Sequence, residues 1–169
     1  MEHTGIIEEL GRNRDVFKSL LSGLSEAEYS WKPKADKWNL LEIICHLHDQ
    51  ECVDFRARTR SVLESPEKPL IPIDPVGWVE ARGYLEQDYE GMIDKWMHER
   101  SASLDWLRSL SHPAWENVHH HPKLGPLSAG TFLSNWLAHD YLHIRQIVRL
   151  KYQHLQYRTG ESLDYAGTW

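Results

Sequence analysis

Two histidines, at positions 139 and 143, stand in a stripe of apolar residues whose helical spacing is the strongest constraint on the fold of this chain. Six residues recur every three or four positions along this stretch: Phe132, Trp136, His139, His143, Ile147 and Leu150. This is the period of one face of an α-helix, so the pattern predicts a long helix over residues 128–153. Because the stripe is otherwise apolar, both imidazoles are expected to face a core.

The spacing of the two histidines suits a metal site. Residues four apart on a helix lie on one face with their Cβ atoms about 5–6 Å apart, close enough for both to bind one ion. The chain holds 11 histidines in 169 residues, and chance alone gives roughly 0.7 pairs at this spacing. Asp140 follows His139 where the zinc-protease motif H-E-x-x-H has glutamate. A third ligand from another helix is therefore needed.

Three further segments carry the helical period, at residues 4–21, 39–63 and 89–110. Asn39 followed by Glu42 has the pattern of a capping box at the start of the second of them. The sequence shows neither the alternation of strands nor an internal repeat. It therefore predicts one domain over residues 1–169, an all-α antiparallel four-helix bundle.

The connections complete this prediction. Four prolines lie between residues 65 and 75, and a run of this kind excludes regular structure and favours a long crossover. The run His119–His121 is expected in a solvated loop that could bind metal adventitiously. Residues 157–169 are expected to form a tail with little helical pattern.

Composition and cysteine positions limit the functional classes. The formal net charge is −6, so there is no basic footprint for a nucleic acid. Cys45 and Cys52 are seven apart on one predicted helix, about 10 Å, which is too far for a disulfide and fits a reducing compartment. The N-terminus lacks a signal-peptide pattern, and no apolar run is long enough to span a membrane. A cytoplasmic protein that acts on a small molecule is expected, and surface aromatics allow a homodimer.

The second helix offers two candidates for the third ligand. His48 falls in line with Leu41, Cys45, Cys52 and Phe55, an apolar stripe, whereas His46 falls on a mixed stripe with Ile43 and Val53. Periodicity leaves the choice open and slightly favours His48 as the more buried residue.

The order of motifs resembles the DinB-like superfamily, over about residues 4–153. The matching elements are Trp38-x7-His46, the proline-rich loop, Trp78 and Tyr84, Arg100, Gly125-x-Leu127, and His139-Asp140-x2-His143-x2-Gln146. Relatives in this superfamily include the YfiT-type metal-dependent hydrolases and the bacillithiol and mycothiol S-transferases. The resemblance implies a four-helix bundle that binds one divalent metal through His46, His139 and His143.

Three neutral imidazoles would leave open positions on such an ion, as in catalytic sites. The resemblance then implies a hydrolase that acts through a metal-bound water, or alternatively a transferase that uses a low-molecular-weight thiol. Zinc or nickel is expected, with manganese and iron as the other candidates, since imidazole suits several of these metals. Two other interpretations are a metal-binding or stress-responsive bundle without turnover, and a helical oligomerisation module.

A hydrolase also requires a general base near the metal. Asp49 lies one turn after His46 and Glu42 one turn before it, so these two carboxylates are the candidate catalytic residues. Asp140 points away from His139 on a helix and is expected to support a ligand or to lie on the surface. Arg100 is expected to form a structural ion pair.

Overall fold

Four long helical passages confirm the all-α four-helix bundle in the computed structural model, which describes residues 2–167. The α-helices are α1 (His3–Leu21), α2 (Glu26–Tyr29), α3 (Leu40–Asp49), α4 (Arg56–Glu64), α5 (Trp78–Ala81), α6 (Tyr89–Ser109) and α7 (Ala129–Thr159). A π-helical segment, Gln50–Phe55, joins α3 to α4, and short 3-10 turns cover Tyr84–Glu86 and Asp164–Ala166. Within residues 2–167, none of the helices has the length and apolar character needed to cross a bilayer.

Local sequence signals set the starts of two of these helices. The Asn39 side chain accepts a hydrogen bond from the Glu42 backbone N–H at 2.9 Å, and the Glu42 carboxylate accepts one from the Asn39 N–H at 2.9 Å. Ser128 likewise accepts a bond from the Thr131 N–H at 3.0 Å at the start of α7. These caps satisfy backbone donors that a helix leaves unpaired, so the predicted starts are confirmed.

The end of α7 was predicted six residues too early. The helix continues to Thr159. The next residue, Gly160, has a left-handed conformation with φ of 68° and terminates the helix. Contacts with another part of the chain support the extra turns, because Trp31 packs against His154 and Tyr157 with ring centroids 5.2 and 5.5 Å apart. The predicted tail is therefore wrong at residues 157–159, and its last two residues, 168 and 169, lie outside the described residues.

A small hairpin replaces the loop predicted around the histidine run. Strand β1 (Val118–His121) pairs in antiparallel register with β2 (Gly125–Ser128). His119 is buried, with its Nδ1 atom 2.9 Å from the carbonyl oxygen of Pro66. The prediction of no strands was wrong here, because four-residue strands are too short to show an alternating pattern. The prediction of a solvated run was wrong for His119, whereas His120 is exposed.

Two apolar clusters fill the bundle, one on each side of a buried polar layer. The first apolar cluster includes Phe17, Ile43, Leu47, Trp96 and Ile147, and the second includes Leu10, Phe55, Leu104, Leu133 and Trp136. On each long helical passage at least one buried polar residue falls between members of these two clusters. The polar layer therefore crosses the middle of the bundle.

The same order of residues gives the direction of each helix. Helices α1 and α7 run from the second apolar cluster to the first, whereas α3–α4 and α6 run from the first to the second. Helix α1 packs against both α6 and α7, and α3 packs against α6. Residues 65–88 thus connect two passages that run in the same direction, which confirms the predicted long crossover.

Candidate metal centre

Three histidines converge within the polar layer. Helix α3 supplies His46 and α7 supplies His139 and His143, and ligand atoms of the three lie within 4.8 Å of one another. The Nε2 atom of His139 is 3.3 Å from that of His46 and 3.1 Å from that of His143. We call this set the histidine cluster. It brings together the three residues named by the family resemblance.

His48 stands outside this cluster, so the slight preference that periodicity gave it was wrong. His46 is 5% exposed, whereas His48 is half-buried. The stripe that favoured His48 included Cys52 and Phe55, which lie in the π-helical segment. A π-helix has more residues per turn than an α-helix, so residues beyond its start no longer report which face His48 occupies.

The spacing of the Nε2 atoms fits one shared cation. Two nitrogen ligands at about 2.0–2.1 Å from a tetrahedral ion lie about 3.3–3.4 Å apart, close to the 3.1 and 3.3 Å found here. A neutral imidazole carries one proton on its two nitrogens, so with protons on Nδ1 the three Nε2 lone pairs face one another. The buried Nδ1 atoms of His46 and His143 have no partner of good hydrogen-bond geometry among residues 2–167. The lone pairs that remain to bind a cation are therefore those of the Nε2 atoms.

Burial keeps the three imidazoles in the form that binds a metal. Burial, and then the neighbouring His143, lower the pKa of His46 to about 3. Burial and the charges of the other two histidines and Arg100 lower the pKa of His139 to about 2. Burial lowers the pKa of His143 to about 4, although Gln146 opposes the shift. At neutral pH all three are therefore neutral, as ligation requires.

Aromatic side chains enclose the histidine cluster. The ring of Trp38 lies 4.8 Å from that of His46, and the ring of Phe55 lies 4.9 Å from that of His139. Phe55 in turn stacks on Trp136 at 6.0 Å. These rings limit the rotation of the imidazoles and keep bulk water from two sides of the centre.

A second group of polar residues lies in the same layer and is fully buried. The guanidinium of Arg100 donates to both oxygens of Asp140 at 2.7 and 2.8 Å, and to Glu51 at 3.0 Å. We call Glu51, Arg100 and Asp140 the charged cluster. Burial alone would lower the pKa of Arg100, but the two carboxylates raise it above its usual range. The structural ion pair predicted for Arg100 is confirmed, and Asp140 is not a surface residue.

The charged cluster connects all four helical passages. Asn13 of α1 donates to Asp140 at 3.2 Å, and the indole N–H of Trp136 donates to Glu51 at 3.0 Å. Since Asp140 directly follows His139, these bonds fix the rotation of α7 at the histidine cluster. Sequence reasoning missed Glu51, because its helical position reads as a surface carboxylate until the π-helical segment turns it inward.

The two candidate catalytic carboxylates both have other partners. Asp49 accepts a hydrogen bond from Tyr84 at 2.6 Å and pairs with Arg82 at 2.7 Å. Burial would raise the pKa of Asp49, but hydrogen bonds from His48 and Tyr84 and the charge of Arg82 lower it. Glu42 closes the capping box and pairs with Lys32 at 2.7 Å. Neither carboxylate has a hydrogen bond to the histidine cluster within residues 2–167, so their catalytic roles stay predictions.

The two cysteines are free thiols, as their spacing predicted. The Sγ atom of Cys52 lies 3.8 Å from Nε2 of His48, an arrangement that could suggest an activated nucleophile. Burial instead raises the pKa of Cys52, and likewise that of Cys45, to about 12. Neither thiol is therefore a thiolate near neutral pH.

Comparisons with known proteins match most of the chain. A model of the DinB superfamily matches residues 9–147. The uncharacterized protein YuaE of Bacillus subtilis (strain 168) is 25% identical over 142 residues, which cover 78% of this chain and 88% of YuaE.

Two solved structures share the architecture. YfiT from Bacillus subtilis, described as a probable metal-dependent hydrolase with an unusual four-helix bundle topology, has a TM-score of 0.78 at 18% identity, over 95% of this chain and 89% of YfiT. The mycothiol-dependent maleylpyruvate isomerase has a TM-score of 0.69 at 14% identity, over 87% of this chain and 61% of the isomerase. At these identities the two structures establish a common fold.

Proposed function

Since this chain belongs to the DinB superfamily, we propose that it is a metal-dependent hydrolase of a small molecule, with His46, His139 and His143 as the ligands of one divalent ion. The observation that carries the proposal is the approach of three Nε2 atoms to 3.1 and 3.3 Å inside a buried layer. A divalent ion held there supplies Lewis acidity, which polarises a carbonyl group and favours the deprotonated form of water or of a thiol.

The chain itself prepares this chemistry in three ways. Burial keeps the imidazoles neutral, so that they bind a cation without first losing protons. The rings of Trp38 and Phe55 hold His46 and His139 in place and exclude water from their faces. The charged cluster fixes α7, which carries two of the three ligands. Preorganised ligands of this kind need little rearrangement during a reaction.

Asp49 and Glu42 are proposed as the residues that could accept a proton during hydrolysis. The pKa of Asp49 is lowered by its partners, after burial has acted in the opposite direction, so it is a weak base near neutral pH. The carboxylate of Glu42 pairs with Lys32 and accepts a hydrogen bond from the Asn39 N–H. Asp49→Asn and Glu42→Gln, assayed for turnover at constant metal content, separate a catalytic role from a structural one.

Metal content tests the proposal directly. The full-length protein without a tag is washed with a weak chelator, to clear the exposed histidines near residue 120, and its metal is measured by mass spectrometry. We expect about one ion per chain, lost in His46→Ala and His143→Ala and kept in His48→Ala. His48 is the matched control, because it lies two residues from His46 and outside the histidine cluster. Absence of metal after reconstitution with zinc and nickel would refute the proposal.

A second candidate function follows from the fold shared with the mycothiol-dependent isomerase. The same three ligands would serve a thiol S-transferase, in which a low-molecular-weight thiol is the second reactant. Thermal unfolding of the metal-loaded protein with bacillithiol or mycothiol distinguishes the two functions. A rise in melting temperature that requires His143 favours the transferase. Hydrolysis of p-nitrophenyl esters that requires His143, without any effect of thiol, favours the hydrolase.

A further inference from the structure

A cavity of about 360 Å³ shares one wall residue, Trp38, with the surroundings of the histidine cluster. Trp38 lines the cavity, and its ring lies 4.8 Å from that of His46. Gln146 lines the cavity from α7, one turn beyond His143. The volume lies in the range of small-ligand sites, and it has room for roughly a dozen atoms if each takes about 30 Å³, the share of a water molecule in the liquid.

The charge of this cavity differs from that of the whole molecule. The chain has a formal net charge of −6, yet the cavity lining contains Lys34, Lys37 and Arg149 and no acidic residue. Lys37 is neutralised in part by Asp36, at 3.0 Å. The side chains of Lys34 and Arg149 have no ion pair with another described residue. Two cations are therefore available to a ligand.

The rest of the lining indicates what the uncharged part of that ligand is. The indole of Trp38 and the buried side chain of Leu150 provide apolar surface. The amides of Gln146 and Gln153 provide both donors and acceptors. A guanidinium binds a carboxylate or phosphate group in a bidentate manner, and an ammonium group adds a point charge.

We propose that this cavity binds a small organic acid, with its carboxylate or phosphate group between Lys34 and Arg149 and its apolar part against Trp38 and Leu150. The inference rests on the proposed function, because it assigns the substrate class of the same centre. The apolar part of a ligand placed in this way lies against Trp38, the lining residue whose ring contacts that of His46. The cations then orient the acid, and the uncharged end lies nearest the site of reaction.

Binding of three probes of similar shape tests the inference. Benzoate, phenyl phosphate and neutral benzamide are titrated by calorimetry into full-length protein that has been stripped of metal with a strong chelator and dialysed, so that no metal contributes to anion binding. We expect at least one of the two anions to bind tenfold or more tightly than benzamide. Comparison of benzoate with phenyl phosphate shows whether the site takes a carboxylate or a phosphate.

Charge-neutral variants locate the site. Lys34→Gln with Arg149→Gln is expected to weaken binding of the preferred anion at least tenfold. Arg145→Gln is the matched control, since Arg145 is also exposed on α7 and does not line the cavity. Both substituted positions in the double variant are exposed, so the fold should persist, which circular dichroism checks.

The inference fails if benzamide binds as tightly as both anions, or if the double variant binds like Arg145→Gln. The result is independent of the metal assay. Selective anion binding together with failure of the protein to take up zinc or nickel on reconstitution would leave the anion site standing and refute the proposed hydrolase. Metal binding without anion selectivity would leave the proposed hydrolase standing and refute the anion site.

Discussion

The buried polar layer contains two clusters that differ in whether their polar atoms have hydrogen-bond partners. In the charged cluster, Arg100 has two carboxylate partners and the carbonyl oxygen of Leu10 at 3.2 Å, and Glu51 also receives the Trp136 N–H. In the histidine cluster, buried Nδ1 atoms of His46 and His143 lack a partner among the described residues, and the Nε2 atoms face one another. The first cluster is complete by itself, whereas the second has three Nε2 atoms placed where a cation could bind.

This difference separates a structural role from a binding role. A buried polar group costs free energy unless it has partners, so a fold keeps an incompletely partnered set only where something else compensates. The two clusters adjoin through His139 and Asp140, which are neighbours in sequence on α7. The complete cluster therefore supports the geometry of the incomplete one.

The largest expected effect comes from breaking the charged cluster. Arg100→Gln leaves Glu51 and Asp140 buried without their cation, and we expect the free energy of unfolding to fall by about 3–5 kcal/mol. Urea denaturation monitored by circular dichroism measures this change. The control Arg12→Gln removes a surface ion pair with Glu9 and should cost less than about 1 kcal/mol. Equal losses in the two variants would show that the charged cluster has no special structural role.

The next largest change in stability is expected from the binding of zinc to the histidine cluster. Zinc at about 100 times its dissociation constant should raise the free energy of unfolding by about 2.7 kcal/mol, because it binds the folded chain selectively. Thermal unfolding with and without zinc measures the gain. His143→Ala should abolish it and His48→Ala should keep it. A gain of the same size in His143→Ala would place the metal elsewhere.

The histidine cluster makes the stability of the metal-free protein depend on pH, because the pKa values of its three histidines are lowered. In the folded protein the pKa values are about 3 for His46, about 2 for His139 and about 4 for His143. All three lie below the usual histidine pKa of about 6.5. Their contribution to stability is therefore complete above about pH 6.5 and is lost as the pH falls towards the folded-state values.

His143→Gln tests that dependence, because it removes one of the three titrating groups. Between about pH 6 and 5 the slope of stability against pH should decrease by about 1.4 kcal/mol per unit in the variant. Denaturation curves of chelator-treated protein at several pH values give the slope. An unchanged slope would mean that His143 is already protonated in the folded chain.

The smallest effect concerns Asp49, at the edge of the polar layer. Tyr84→Phe removes the 2.6 Å hydrogen bond to Asp49 but leaves Arg82 in place, so we expect a loss of about 1 kcal/mol in urea denaturation. Metal content should not change. Loss of the metal in this variant would instead place Asp49 among the groups that support the histidine cluster.

Sequence alone determined the features that depend on neighbours within a few residues. The caps at Asn39 and Ser128 and the inward face of α7 follow from local hydrogen bonds and from helical period, and both act over one or two turns. The pairing of His139 with His143 follows from the same geometry. The motif order also led to the family and so to His46 as the third histidine.

The tertiary structure decided the features that depend on residues far apart in the chain. The periodicity of the second helical passage could not select His46, because the π-helical segment at Gln50–Phe55 changes the angle between successive residues. The burial of Glu51 and Asp140, and the cavity between Trp38 and Arg149, arise only when the helices pack. These contacts join residues far apart in the chain, so no local pattern encodes them.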